Sequence, residues 1–410
     1  MHYGLNNYCI YNYCKRNYCV CNKNKLTLQK LLDMEENPFI ITEHVTRQYF
    51  CDREKETEEL IRLVTNRNNV VLLSDRRIGK TALIQHCYQQ KPLKDTYLTF
   101  YVDILSTTNL QEFTFLLGRA IYERLVPLGK KMVNTFFRIV KSITSRLGYD
   151  TLSGMPTINL QLGDVERPDI TLQEIFKYLS EAEKPCVVAI DEFQQIAKYP
   201  EKGVEALIRS HLLQINNVRI IFSGSERHML SEMFMHSSRP FYMSASFIDL
   251  KVIPKEIYVD FIVKMFKKGD KTISKDLATE IYERFDGITF CIQKICNILY
   301  SKTLRGETAD RENYGTAIEE ILNSYDPYFR EQLSRLSTRQ KEVLFAIASK
   351  GKVENVTSME FIKEHSLASA SSVQTSIKSL IKMMILNTRE KKYWIDDRFF
   401  SLWVKKNFCQ

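Results

Sequence analysis

The sequence predicts a three-layer α/β core built on a parallel sheet, followed by a helical segment and then a winged helix. Three observations carry this reading. Short apolar runs at 70–73, 187–190 and 218–222 alternate with amphipathic stretches, the pattern of parallel strands joined by right-handed helical crossovers. From Lys255 to Leu322 the strand patterns stop and helical spacing takes over. From Leu336 onward, three helical patterns lead into a hairpin. At 410 residues the chain is also too long for one ordinary core.

Along the chain, 54–65 places Leu60, Ile61, Leu63 and Val64 at helical spacing, and Val70-Val71-Leu72-Leu73 reads as a buried strand. A helix from Lys80 to about Gln90 follows, then a strand over 97–102. Two amphipathic segments cover 110–125 and the stretch to Arg146, and 154–162 alternates as an inserted hairpin would. The core closes with helix 172–182, strand 185–190, helix 204–213 and strand 218–222. The expected divisions are a tail at 1–33, an α/β core at 34–254, a helical part at 255–330 and a winged helix at 331–410.

Composition excludes several classes. With 44% hydrophobic and 26% charged residues, 14 Gly and 10 Pro, the chain is neither collagenous nor a disordered polymer. Its apolar runs are far short of the roughly 20 residues a membrane helix needs, and the polar start lacks the apolar stretch of a signal peptide. A soluble cytoplasmic protein without membrane contact is expected. The net charge of +9 is uneven, with roughly +4 on residues 1–33 and roughly +6 on 331–410. Six of the ten cysteines are scattered as small buried hydrophobes are, whereas Cys9, Cys14, Cys19 and Cys21 crowd into a repeated Asn-Tyr-Cys triplet. The triplet reads as a low-complexity tail, which makes Met34 the natural first residue, although four thiols would also suffice for zinc.

Ser74-Asp75-Arg76-Arg77-Ile78-Gly79-Lys80-Thr81 lies between a strand and a helix, where backbone N–H groups and a helix N-terminus cradle phosphates. In such a P-loop Lys80 reaches the β- and γ-phosphates of ATP, and the Thr81 hydroxyl ligates Mg²⁺. Ser74 replaces the first glycine of the pattern, so strain from positive φ is expected at that position. The run Val187-Val188-Ala189-Ile190 ends in Asp191 and Glu192, two carboxylates at the carboxyl end of a strand, where open parallel sheets bind ligands. Asp191 suits Mg²⁺, and Glu192 suits orientation of an attacking water. Strand 218–222 ends in Ser223-Gly224-Ser225, where Ser225, with Ser223 second, would bond the γ-phosphate or water; a helix N-cap explains Ser225 equally well.

With these residues in place the chain resembles, over 34–410, the AAA-type ATPases of bacteria and archaea related to the STAND ATPases. The likeness is most specific in Tyr49-Phe50-Cys51-Asp52-Arg53-Glu54-Lys55-Glu56, in the Asp-Arg-Arg-Ile-Gly-Lys-Thr loop with Ile190-Asp191-Glu192-Phe193, and in Ser223-Gly224-Ser225 followed by Arg239-Pro240-Phe241-Tyr242. The resemblance implies that Phe50 and Arg53 lie over the adenine and that Arg239 senses the γ-phosphate, with Arg209 and Arg227 as competitors for that role. It also implies that the helical part is a lid, although Thr289 stands where related proteins carry a proline and no lid arginine is placed as a second sensor.

In the C-terminal module, helix 338–349 turns Val343, Leu344, Ile347 and Ala348 to one side. Helix 357–364 has Thr357 as N-cap with Glu360 at capping-box spacing, and helix 368–384 carries Val373, Ile377, Leu380 and Ile381. Strands 385–388 and 392–395 bracket Arg389-Glu390-Lys391, completing a winged helix. Ser371, Gln374, Thr375, Lys378 and Lys382 on the third helix suit DNA; with so few cations among them, docking to protein is the competing use.

Overall fold

The computed structural model describes residues 37–41, 49–142, 147–149, 156–158 and 165–409. The expectations for segment 1–33 and its cysteines fall outside these residues.

Five strands form the central sheet: β1 (Val70–Ser74), β2 (Leu98–Asp103), β3 (Cys186–Asp191), β4 (Val218–Gly224) and β5 (Ser246–Leu250). Their order is β2-β3-β4-β1-β5, and every neighbouring pair is parallel. Continuous apolar runs are what such strands require, because both faces are covered. Leu72, Val187, Ala189 and Ile221 point into one layer, where helices Glu54–Thr65 and Lys80–Gln89 pack with Leu60, Val64, Leu83 and Ile84. Val71, Val188, Ile190 and Phe222 point the other way, toward helices Leu110–Leu125 and Pro168–Ser180. Phe193, Phe222, Phe234 and Phe241 form an aromatic cluster on that side, with ring centroids 4.5–6.0 Å apart. The sheet thus has the three-layer α/β arrangement expected from the sequence.

Several elements differ from expectation. Strand β5 was not anticipated; it is an edge strand whose Asp249 is exposed between the buried Ile248 and Leu250, so it lacks a long apolar run. The described part of the inserted hairpin pairs Leu147–Tyr149 with Pro156–Ile158, earlier in the chain than 154–162. The second amphipathic helix ends at Ile139, after Pro127 and Gly129 (φ 103°) separate it from the first.

Helices Lys255–Lys268, Lys275–Arg284 and Thr289–Lys302 make the helical part. Helix Arg311–Ser334, capped by the Asp310 side chain, then runs straight through the division expected at 330/331. The winged helix follows: helices Thr338–Lys350, Met359–Glu364 and Ala370–Lys382, with Leu386–Arg389 and Lys392–Ile395 as the antiparallel wing. Val353–Glu354 adds a third strand to that small sheet. One apolar core runs without interruption from Tyr258 and Phe285 of the helical part to Phe399, Phe400 and Trp403 of the final helix, Arg398–Phe408. Among the described residues, no helix is long and apolar enough to cross a membrane.

The cap of helix Met359–Glu364 is Ser358, whose hydroxyl accepts from the Phe361 N–H; Thr357 lies one residue too early for that bond. Ser358→Ala should therefore lower unfolding stability by about 1 kcal/mol and Thr357→Ala should leave it nearly unchanged, as read from urea midpoints.

Candidate functional site

The site lies at the carboxyl ends of β1, β3 and β4, where the crossovers leave a crevice. Gly79 caps helix Lys80–Gln89 in the left-handed region (φ 95°), with no side-chain cap among the described residues, so the first-turn N–H groups are open to an anion. Arg77 also sits at positive φ (64°), a local strain of order 1 kcal/mol that places it outside the loop's curve. The strain expected at Ser74 is absent: β1 continues through Ser74, which pairs with Leu250, so its backbone is extended. Its buried hydroxyl has no hydrogen-bond partner among the described residues.

Lys80, its side chain 9% exposed, converges on the acidic pair with Nζ 2.5 Å from Asp191 Oδ1 and 3.0 Å from Glu192 Oε1. Asp191 accepts at both oxygens. Ser223 Oγ (2.7 Å) and the Glu192 N–H (2.9 Å) join Lys80 on Oδ1, while Tyr101 Oη (2.7 Å) and Thr81 Oγ1 (3.1 Å) donate to Oδ2. Burial pushes the Asp191 carboxyl up, but the Lys80 ammonium and the hydroxyl donors outweigh it and hold the pKa below the usual carboxylate range. The same contest, with Lys80 and Gln194 as the stabilising groups, keeps Glu192 low. Burial, with the Asp191 charge nearby, raises the Tyr101 phenol, which stays protonated and donating.

Glu192 itself is in the left-handed region (φ 57°). Its Oε2 accepts from Gln194 Nε2 (2.6 Å), Ser225 Oγ (2.9 Å) and the Ser225 N–H (3.2 Å). Ser225 is thus directed at Glu192 and does not cap the next helix, whose N-cap position is Glu226. Gly224 has a steric reason to be glycine, because a Cβ there would lie 2.0 Å from Gln194 Oε1.

Beside the loop a pocket is lined by Tyr49, Phe50, Ile78, Gly79, Tyr258 and Gln293, apolar walls suited to a flat base. Phe50 stacks on His86 with centroids 4.0 Å apart. Cys51 lines the same pocket, but burial pushes its thiol up to about 12, so it remains a neutral wall. Arg53 is almost wholly buried and is held by Glu56 (2.7 Å), the Lys251 carbonyl (2.6 Å) and the Ile78 carbonyl (3.5 Å).

The remaining loop residues reach outward. Asp75 lies 3.9 Å from Arg227, which also pairs with Asp249 at 2.6 Å. Arg76 Nε donates to Ser225 Oγ (3.4 Å), and Arg76 Nη2 approaches Met384 Sδ (2.8 Å). Arg77 pairs with Asp397 of the winged helix (2.7 Å) and lies over Phe290, 5.0 Å from the ring centroid. The helical part binds the loop backbone: Phe290 N–H donates to the Arg77 carbonyl (3.0 Å), and Thr289 Oγ1 to that of Ile78 (3.3 Å). The structure therefore brings together Lys80, Thr81, Asp191, Glu192 and Ser225, with Arg76 at the edge beside Ser225. It turns Arg239 to Glu205 (2.8 Å) on the neighbouring helix, and of the competing arginines it is Arg227 that lies beside the loop. Tyr101, Gln194 and Asp397 were missed. Alternation along β2 gives Tyr101 a face, but only the sheet register, which sets it opposite Ala189, shows that this face is the one carrying Asp191.

A parallel sheet with a Gly-Lys-Thr loop after β1 and an Asp-Glu pair at the end of β3 defines a P-loop nucleotide-binding protein. The chain belongs to the family described as an ATPase domain predominantly from Archaea, whose model matches residues 50–295. A probable winged helix domain matches residues 327–406. Over 165 residues the chain is 27% identical to an uncharacterized ATP-binding protein of Methanocaldococcus jannaschii, which covers 38% of this chain. The match spans 45% of that relative's length. The Walker-type ATPase of Pyrococcus abyssi has a similar fold, with TM-score 0.60 and 21% identity over 90% of this chain and 99% of that one. The ORC2 protein of Aeropyrum pernix matches with TM-score 0.54 and 13% identity, over 92% and 99% of the two chains.

Gly224→Ala should drive Gln194 off Glu192 and lower stability by about 1–3 kcal/mol, measured by urea unfolding. On a Gln194→Ala background most of that loss should vanish, because the side chain it collides with is gone.

Proposed function

We propose that the protein binds ATP with Mg²⁺ at this site, hydrolyses it to ADP and phosphate, and couples nucleotide state to the positions of lid and winged helix. The observation that carries the reading is the contact of Lys80 with both Asp191 and Glu192, next to a Thr81 hydroxyl bonded to the same Asp191. The donors fit the cation: one hydroxyl and one carboxylate are hard oxygen ligands, and Mg²⁺ takes few protein ligands and completes its shell with water and phosphate. Bound there through Thr81 and Asp191, Mg²⁺ would neutralise charge on the phosphate oxygens.

The chain's own groups do the rest. Backbone N–H groups of 76–81 hold the phosphates, and Lys80 exchanges its carboxylate partners for phosphate oxygens. That exchange releases Glu192 Oε1 to accept a proton from water, while Gln194 and Ser225 keep Oε2 in place. Phe50 lies against the base; Arg53, held by the loop and by Lys251, shapes the wall beside it. Catalysis is by positioning and electrostatics, with no covalent intermediate. Arg239 remains the assigned γ-phosphate sensor, which requires it to leave Glu205; Arg227 competes from beside the loop. Coupling is supported by the bonds from Thr289 and Phe290 to the loop backbone and by the Arg77–Asp397 pair.

A second reading, a switch that holds nucleotide and rarely hydrolyses it, is favoured by the three donors that already occupy Glu192 Oε2. DNA contact through the exposed Ser371, Gln374, Thr375, Lys378 and Lys382, or docking of a protein there, is the use proposed for the winged helix.

Lys80→Ala should abolish nucleotide binding. Glu192→Gln should bind Mg·ATP and lose about 10²- to 10⁴-fold in turnover, the share a general base contributes. Multiple-cycle assays decide between readings: wild-type turnover at the level of Glu192→Gln would leave only the switch. Asp397→Ala, which frees Arg77 from a half-exposed ion pair, should tighten Mg·ATP binding by about two- to fivefold in equilibrium titration.

A further inference from the structure

We infer that Tyr101 is a positioning residue for the metal ion: its hydroxyl fixes the Asp191 carboxylate so that Thr81 can present its oxygen to Mg²⁺. This rests on the Mg·ATP reading of the site. Tyr101 lies on β2 directly opposite Ala189 of β3, and Ala189 and Asp191 share one face of the sheet. Because Ala189 carries only a methyl group, the Tyr101 ring can cross the diagonal to Asp191 two residues on, a reach open to aromatic side chains. Its hydroxyl donates to Asp191 Oδ2 at 2.7 Å and lies 3.4 Å from Thr81 Oγ1.

The division of donors on Asp191 gives the contact its meaning. Oδ1 is held by Lys80, Ser223 and the Glu192 N–H. Among the described residues, Oδ2 takes only Tyr101 and Thr81. A threonine hydroxyl has one proton and two lone pairs. With its proton given to Oδ2, the lone pairs of Thr81 are left for a cation. Lys80 is expected to move to phosphate when nucleotide arrives, which removes one constraint on Oδ1. Tyr101 does not take part in that exchange, so it keeps the carboxylate plane and the acceptor for Thr81 fixed in both states. Outer partners of metal ligands typically set 10- to 100-fold in metal affinity.

The test uses Tyr101→Phe in the full chain, which deletes one oxygen and keeps the ring against Ala189. Affinity for a fluorescent ATP analogue is measured in excess Mg²⁺ and in EDTA, and the ratio of the two is the contribution of the metal. That ratio should fall about tenfold or more in Tyr101→Phe, while affinity in EDTA stays within about twofold of wild type. Thr81→Ala should lower the ratio as well, and Tyr101→Phe should add nothing on that background. An unchanged ratio, an equal loss in EDTA and in Mg²⁺, or full additivity with Thr81→Ala would overturn the assignment while leaving the Mg·ATP reading intact. A wild-type affinity indifferent to Mg²⁺ would remove that reading and the role of Tyr101 together.

Discussion

The ammonium of Lys80 has to be paired, and much of the architecture follows from that. An uncompensated charge in a site this enclosed costs several kcal/mol, and removing either partner of a buried pair typically costs about 3–5 kcal/mol. The partners of Lys80 sit at the end of β3, whereas its own helix begins after β1, with β4 between the two strands. The loop after β1 therefore has to lean across the end of β4. Ser223, on that intervening strand, donates to the same Asp191 oxygen and fills the gap. Leaving Lys80 unpaired would be costly, and in the proposed site a phosphate group would offer it an equivalent partner.

The outer half of the same loop faces the rest of the chain. The carbonyls of Arg77 and Ile78 take donors from the start of helix Thr289–Lys302, and the Arg77 guanidinium meets Asp397. Ile78 also accepts from the buried Arg53, which is tied in turn to the end of β5 through Lys251. The loop thus has one edge toward the proposed phosphate site and another held by protein groups. A shift of the backbone by a fraction of an ångström would be felt on both.

How much of this was legible depends on the type of signal. Strands β1, β3 and β4 were readable because burial on both faces imposes an uninterrupted apolar run. Edge strand β5 was hidden, because its exposed Asp249 breaks the run. Lys80, Thr81, Asp191 and Glu192 could be read from motif spacing, since each stands beside a strand end. Tyr101 and Gln194 could not be found that way. One looks like an ordinary strand aromatic and the other like a turn residue, and only the sheet register and the missing Cβ of Gly224 reveal what they touch. The division expected at 330/331 falls inside a helix for a different reason. A change of charge and pattern marks where a motif begins, but not where a core ends, and helix Arg311–Ser334 carries one core across it.

That shared core has a mechanical meaning. Phe285 packs on Phe399, and Phe329 lies against Phe400 and Trp403, so aromatic contacts stitch the helical part to the winged helix. In the proposed coupling, the two would turn together, with the contacts at Arg77 and Ile78 as their link to the loop. With 24 residues at about 1.5 Å each, helix Arg311–Ser334 is an arm about 36 Å long. By geometry alone, a tilt of about 10° of an arm that long displaces its far end by about 6 Å, roughly the pitch of one helical turn.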